Sequence, residues 1–518
     1  MNNSSLPRFS SFLSVIIFGL GVTSGDASAQ EHLGKIELPE SASRVTVRKL
    51  SLTEAIKITL KNNLGIALQR QQVSMSEASI RSSEAGFEPL VTARLSHNDS
   101  ISPPSTSLDG TPGSTFENSS QQWSLGVSKR LSFGTNLGVN FSSSRRKSNL
   151  GSAVEPLFYG SNLSLSVSQP LLRGFSFDRD IPRSAILLAK FSNQRALQET
   201  RIAMAREIRQ TENAYWNLVQ TTRSYGVQKA SLELARDQYD ITQRKIKAGL
   251  SAPADLISSE SSVAQRELAL LQSDANLEAS MDVLRSTMNM PDKDWSDFLL
   301  ATDLPEVSPV DLDLELAMSL ALQTRPEMQQ NRIEIQRQEL SERVAKNSNL
   351  PDLNLGFSYG VVGQSNVYRT TISQLDGLGA RDWGVFLNLS WAPLGQAASA
   401  NVDSLQAQDK ILALRQKQFL SGLRAQLRAA IRNLQTAERQ VNASVRFREL
   451  ATRSLEIERK RFMSSMSRNI EVSQRENELA AAQTAEISAR IDFQRAKSDL
   501  DLATGSLLKN RGIELSVR

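Results

Sequence analysis

Between Ser184 and Gly249 the apolar side chains keep a beat of seven. Leu197, Met204, Leu218, Tyr225, Leu232, Tyr239 and Ile246 share one register, broken only by Thr211. A second stripe of Val227, Leu234 and Ile241 runs beside it, and Arg, Gln, Glu and Lys fill the positions between. This pattern predicts a helix with one narrow seam for a partner helix. Roughly 65 helical residues at ~1.5 Å each make a rod of ~100 Å. A generic coiled coil has the same pattern, so the rest of the chain has to decide what the rod is for.

Before the rod, residues 42 to 47 form a short extended piece. A helix is predicted over residues 52–86, ended by Phe87-Glu88-Pro89 because proline disfavours a helical residue before itself. From Leu90 the period falls to two. Val91, Ala93 and Leu95 alternate with polar residues, as do Trp123, Leu125 and Val127, then Leu137, Val139 and Phe141, then Leu163, Leu165 and Val167. Four strands of about ten residues are predicted within 90–169. Ser132-Phe133-Gly134-Thr135 reads as a tight turn and Ser102 to Ser120 as a long loop. Arg145-Arg146-Lys147 reads as a solvated loop cluster. Strands of this length with one apolar face fit a transmembrane β-barrel, and a soluble sandwich gives a similar pattern. The long helix is placed at 182–248, a return helix at 253–289, and an irregular connector at 290–309.

The order then repeats. A helix is predicted at 314–349, strands at 352–392, a long helix at 397–463, a return helix at 469–508, and a C-terminal tail. The second long helix carries its own stripe of Leu420, Leu427, Leu434, Val441, Leu455 and Phe462. Ala55 and Ala317, like Pro89 and Pro351, lie 262 positions apart; Pro170 and Pro393 lie 223 apart; Gly249 and Ser465, Asp255 and Glu471, and Ile246 and Phe462 all lie 216 apart. The second long helix is therefore shorter by seven residues. One heptad can be lost without turning the seam off its face. Residues 30–309 and 310–518 are read as two copies of one helix–strand–helix unit.

Composition narrows the function. The 60 basic and 55 acidic side chains leave a net charge of +5, which gives no case for nucleic-acid binding. Cysteine is absent, so disulfides, thiolate metal sites and a lipidated N-terminal cysteine are excluded. Only His32 and His97 supply imidazole. No nucleophile–base set, phosphate loop or metal cluster stands out, so neither an enzyme nor a cofactor is expected. Arg8, the apolar run Phe12 to Val22, and Ala27-Ser28-Ala29 predict a signal peptide, residues 1–29, cleaved after Ala29. A secreted chain with amphipathic strands at one end of long coiled coils is read as an α+β membrane protein. Its strands are too few for a roomy barrel, and lipid cannot satisfy open edges, so identical subunits pool them around a ring axis. Trp123, Tyr159, Tyr368, Trp383 and Trp391 are candidates for the aromatic girdles at the membrane interfaces.

The doubled order resembles the TolC-type outer-membrane efflux and secretion channels. The carriers are Leu52-Thr53-Glu54-Ala55-Ile56, Gln169-Pro170-Leu171-Leu172, Lys247-Ala248-Gly249, Leu350-Pro351-Asp352-Leu353, Pro393-Leu394 and Arg461-Phe462-Met463. The resemblance implies a homotrimer with an outer-membrane β-barrel, a periplasmic coiled-coil α-barrel and an equatorial collar. It implies passive export of substrate from an inner-membrane pump through a periplasmic adaptor protein. It also implies that the gate and adaptor contact lie at the helical turns, at Gly249, Leu250 and Asp255 and at Ser465, Arg468 and Glu471. There Glu471 would face the narrowed bore, and Arg468 would link to a carboxylate and hold the tip closed. Asp255 and Glu471 can equally be ordinary helix N-terminal acids. Three departures stand out. Ser465 replaces a usual glycine, which implies a differently shaped second turn. Gln474 replaces an acid of some members, and the first half has four strands where two are usual. The alternative reading is a periplasmic coiled-coil scaffold or adaptor without a pore, which leaves the amphipathic strands unexplained.

Overall fold

The computed structural model describes residues 15–17, 39, 45–103, 115–149, 156–174, 179–308, 313–377 and 380–515. In chain order the elements are β1 (Val15–Ile17), β2 (Val47–Leu50), α1 (Leu52–Asn62), α2 (Leu64–Ala85), β3 (Leu90–Ser102), β4 (Phe116–Arg130), β5 (Asn136–Ser148), β6 (Leu157–Pro170), α3 (Ser184–Lys247), α4 (Ala254–Met288), β7 (Phe298–Ala301), α5 (Leu314–Thr324), α6 (Pro326–Ser348), β8 (Asp352–Ser365), α7 (Tyr368–Asp376), β9 (Arg381–Ser390), α8 (Gln396–Met463), α9 (Asn469–Thr504), α10 (Leu507–Asn510) and β10 (Ile513–Leu515). The chain divides into a first unit of Met1–Gln72, Leu197–Gln330 and Gln416–Arg518, and a second of Val73–Ala196 and Asn331–Arg415.

In the first unit the heptad seam is buried. Met204, Leu218, Tyr225 and Leu232 of α3 are at most 6% exposed. Tyr215, Leu218 and Tyr225 share a core with Leu277, Leu284 and Met288 of α4 and Ile487 and Ile491 of α9. On α8, Leu427, Leu434 and Val441 pack with Ala317 and Ala321 of α5 and Phe493 of α9. Thr211, the break in the first stripe, is fully buried, and its hydroxyl meets that of Thr59 at 3.0 Å. A polar pair thus continues the seam where an apolar residue is missing.

Each opening helix is two helices, not the single segment expected at 52–86 and 314–349. Asn63 and Arg325, also 262 apart, both adopt extended backbone and end α1 and α5. Asn63 starts α2 by accepting the Ile66 N–H at its side-chain oxygen, at 3.1 Å. Arg325 precedes Pro326, the first residue of α6, and the proline ring pushes it out of the helical region. Both starts are capped. Ser51 and Glu54 form a capping box ahead of α1, and Asp313 accepts the Glu315 N–H ahead of α5.

The connector at 290–309 is not irregular throughout. Phe298-Leu299-Leu300-Ala301 is strand β7, paired in parallel with β2 and buried at every position. A continuous apolar run suits a strand covered on both faces. Tyr215 anchors this pair by donating to the Leu50 carbonyl at 3.0 Å and to Asp303 at 2.5 Å. The expected cleavage site after Ala29 lies outside the described residues. Within the expected signal segment, β1 pairs with β10.

The second unit is built on one antiparallel sheet in the order β3-β4-β5-β6-β8-β9. Its register aligns side chains in rows across all six strands. Val91, Val127, Val139, Leu165, Tyr359 and Trp383 form one row, and Ala93, Leu125, Phe141, Leu163 and Val361 the next on the same face, ending at Arg381 on β9. Between them, on the other face, lie Thr92, Gly126, Asn140, Ser164, Gly360 and Asp382. Along these rows one face is apolar and mostly exposed, with Val361 buried, and the other is small and polar. The turn at Ser132–Thr135 closes with Leu131 donating to the Thr135 carbonyl at 2.8 Å. Three expectations change. Strand β4 begins at Phe116, inside the stretch expected as a loop to Ser120, of which 104–114 lie outside the described residues. Arg145, Arg146 and Lys147 belong to β5, not to a loop, because the ladder continues to Ser148. Between β8 and β9 a short helix, α7, lies on the sheet, held by a hydroxyl chain from Ser143 through Ser161 to Thr371. Gly363 permits the approach, since a Cβ there would meet the Thr371 carbonyl oxygen at 2.0 Å.

Candidate functional site: the paired helical turns

At the end of α3, Gly249 takes a left-handed backbone with φ of 73°. Its N–H donates to the Ile246 carbonyl at 2.9 Å, and the Leu250 N–H reaches back to Lys245 at 2.8 Å. At the end of α8, Ser465 takes φ of 58°. Its N–H donates to Phe462 at 3.0 Å, and the Met466 N–H to Arg461 at 2.8 Å. Both are the helix-closing motif that glycine normally serves. The second turn is therefore not shaped differently, and the absence of glycine appears as a left-handed serine instead. A Cβ at Gly249 would meet nothing within 4 Å, so the position asks for backbone freedom and not for room. A side chain held there costs about 1–2 kcal/mol.

The two turns are tied to each other within the first unit. Asn469, at the start of α9, is buried; it donates to Ser259 of α4 at 2.8 Å and accepts from Gln238 of α3 at 2.7 Å. Lys245 donates to the Phe462 carbonyl oxygen, and its ammonium lies 3.9 Å from the centre of the Phe462 ring. Burial holds the Lys245 pKa below its ordinary value. Ile241 packs against a small core of Leu455, Phe462 and Val472. A cavity of about 240 Å³ opens beside it, with Asp237, Asp240, Arg244 and Arg459 on its polar wall.

The acids differ. Asp255 lies in the first turn of α4 and accepts the Ala252 N–H at 3.3 Å, as a helix N-terminal acid does. Glu471 lies in the first turn of α9 and accepts the Ser467 hydroxyl at 2.7 Å, a bond that lowers its pKa. Arg468 precedes α9, makes no side-chain cap, and forms no ion pair with Glu471 among the described residues. Deeper in α9, Glu476 is buried and pairs with Arg459 at 2.9 Å. Burial outweighs that arginine and raises the Glu476 pKa. Leu250 is 63% exposed and Met466 71%, so each turn presents an apolar side chain at the matching position.

Sequence reasoning missed Lys245, Asn469 and Glu476. Offset alone aligns Asn469 with Pro253, 216 positions earlier, which hides its role as a buried node. Among the described residues no group of His, Cys, Asp or Glu could hold a metal ion, and no helix is long and apolar enough to cross a membrane.

The candidate interface aromatics are spread over the sheet. Trp123 on β4 meets Phe141 at 4.9 Å with the rings tilted by 53°, and Tyr159 on β6 meets Tyr368 edge-on at 5.8 Å. Tyr368 opens α7 and is not on a strand. Trp391 follows β9 at the opposite end, and Trp383 stands between the two ends, opposite Tyr359.

Residues 317–506 match the family described as outer membrane efflux protein. The match covers less than half of the chain. It contains Ser465, Arg468 and Glu471, while Gly249, Leu250 and Asp255 sit in the first repeat. No curated protein matches the chain. Among solved structures, the outer-membrane channel OprN is 14% identical, with a TM-score of 0.64 over 93% of this chain and 99% of that one. The CmeC outer membrane channel of Campylobacter jejuni is 15% identical, with a TM-score of 0.63 over 98% and 100%. The outer membrane protein VceC of Vibrio cholerae is 14% identical, with a TM-score of 0.62 over 90% and 97%. The chain thus has the fold of these channels along almost its whole length.

Proposed function

We propose that the protein is the outer-membrane channel of a tripartite efflux or type I secretion assembly. It is a homotrimer whose pooled strands form a β-barrel in outer-membrane lipid and whose long helices form a coiled-coil barrel in the periplasm. It catalyses no reaction and binds no cofactor or nucleic acid. It conducts substrate passively from an inner-membrane pump, received through a periplasmic adaptor protein. The observation that carries this reading is the sheet of the second unit. An exposed apolar face of aligned rows, with small polar residues behind it, is what a membrane wall around a water-filled lumen requires. A pore-free scaffold has no use for that face.

The turns at Gly249 and Ser465 form the periplasmic end. Leu250 and Met466 offer apolar contacts to the adaptor, and Asp255 and Glu471 place carboxylates at the mouth. A ring of such acids concentrates cations and repels anions. Arg468, unpaired with Glu471 inside one copy, is available to a carboxylate of the next copy and closes the tip that way. Fractionation tests the assembly. Recovery from the outer membrane as a heat-resistant trimer is expected, and a soluble periplasmic monomer would sink the reading. Planar-bilayer recording tests the gate. Arg468→Ala is expected to raise the open fraction and Glu471→Gln to weaken cation preference; no conductance in either variant refutes the pore.

A further inference from the structure

We propose that all six strands of the sheet enter the membrane wall. The outer edge of β3 then pairs with the outer edge of β9 in the next copy, so three copies close a barrel of eighteen strands. The inference rests on the outer-membrane channel reading and goes beyond it. If only two strands of each half entered the wall, the barrel would have twelve.

Strand edges decide the matter. Strand β5 is paired along its length with β4 on one side and β6 on the other. Strand β8 is held likewise between β6 and β9. Among the described residues only β3 and β9 are terminal in the sheet order. A second copy could pair with β5 only if β4 were first torn away. The β3–β4 hairpin also carries the membrane pattern. Val91, Leu125 and Val127 are exposed and continue the apolar rows of β5, β6 and β8 in register, and Leu95, also exposed, lies in the next row beside Trp123. In an extracellular appendage these side chains would face water. Within the wall they face lipid, and Thr92 and Gly126 join Asn140, Ser164 and Gly360 on the lumen side.

The occupant of the free edges is another copy of this chain. Lipid cannot satisfy unpaired backbone N–H and C=O groups, so both edges must be covered. The sheet is antiparallel with an even number of strands, so β9 of one copy and β3 of the next run in opposite senses. The alternation therefore passes through the junction without a break. Eighteen strands leave an open aqueous channel, whereas about eight would be filled by their own side chains.

The chain has no cysteine, so introduced pairs report without background. Thr92→Cys on β3 is combined in turn with Asp382→Cys, Gly384→Cys and Phe386→Cys on β9, all on the lumen-side parity. Within one copy these positions are five strand spacings apart, about 24 Å, too far for a disulfide. The expected result, in outer-membrane fractions under oxidation, is a covalent trimer at one of the three registers. The competing set replaces Thr92→Cys by Asn140→Cys on β5. Cross-linking from Asn140, or none from Thr92 at any register in a trimer that still conducts, overturns the eighteen-strand barrel and leaves the channel reading standing. A soluble monomer overturns both.

Discussion

The turns at Gly249 and Ser465 share a backbone and differ in how they keep it. Both close their helices with the same pair of hydrogen bonds, to residues three and five positions back. The first uses glycine and then Pro253, so the chain itself is shaped for the turn. The second uses a serine in a left-handed conformation and then Asn469, whose side chain grips α3 and α4. The second turn depends on its neighbours for what the first has locally. A strained turn held by tertiary contacts is the better candidate for a moving part, because loosening the contacts also releases the strain.

The largest effect should come from the grip. Asn469→Leu leaves the buried Gln238 amide without its partner, while Ser259 loses only the bond it accepts and still donates to the Asp255 carbonyl at 2.9 Å, a loss of about 1–3 kcal/mol. Thermal unfolding in detergent, followed by circular dichroism, should show a lower midpoint, and bilayer recordings more frequent opening. An unchanged midpoint would mean that the node is solvated and that the two turns are equally self-sufficient.

The backbones come next. Ser465→Gly removes a left-handed side chain and should stabilise by about 0.5–1 kcal/mol, while Gly249→Ala should destabilise by about 1–2 kcal/mol. The Cβ at Gly249 has open space, so a clash cannot account for the loss. Opposite signs at equivalent positions are the signature of a shared turn. If both substitutions destabilise, the serine hydroxyl has a role of its own.

A smaller effect belongs to the bond between the turns. Lys245→Met keeps much of the packing on Phe462 and removes the cation from its ring, at a cost of about 1 kcal/mol. Double-mutant cycles with Phe462→Leu should show coupling between the two positions and none with Gly249→Ala.

The duplication was legible because periodicity survives divergence. Seven-residue stripes, the prolines that end helices and the period of two in the strands are local signals, and each recurs at a fixed offset. The breaks at Asn63 and Arg325 were legible in part. Pro326 marks one, but Asn63 caps a helix without any proline to announce it. Strand β7 was hidden because four apolar residues carry no period. The basic run at Arg145–Lys147 was misplaced because composition suggests a loop, whereas the pairing of β5 with β4 and β6 carries the strand past it. At the tip, the turns and their acids could be read from the chain. Asn469, Lys245 and Glu476 act across helices, and nothing in their local sequence says which neighbour they meet.

The smallest effect separates two carboxylates of α9 by sign. Glu471 has its pKa lowered by the Ser467 hydroxyl, so its contribution is present above the unfolded-state pKa and lost as pH falls through the folded one. Glu476 has its pKa raised by burial. Its contribution is fully present below the unfolded-state value and lost as pH rises through the folded one. Glu471 faces solvent, so Glu471→Gln should reduce the acid-side loss of stability only slightly, and salt should shrink the difference further. Glu476→Gln mimics the protonated form and should flatten the slope between the two Glu476 values, with little change at the acid end. Unfolding midpoints measured from pH 4 to pH 8 for the two variants should therefore depart from the parent protein in opposite directions. If both depart the same way, Glu476 is better paired to Arg459 than its burial implies, and the acid that answers to pH lies at the exposed turn.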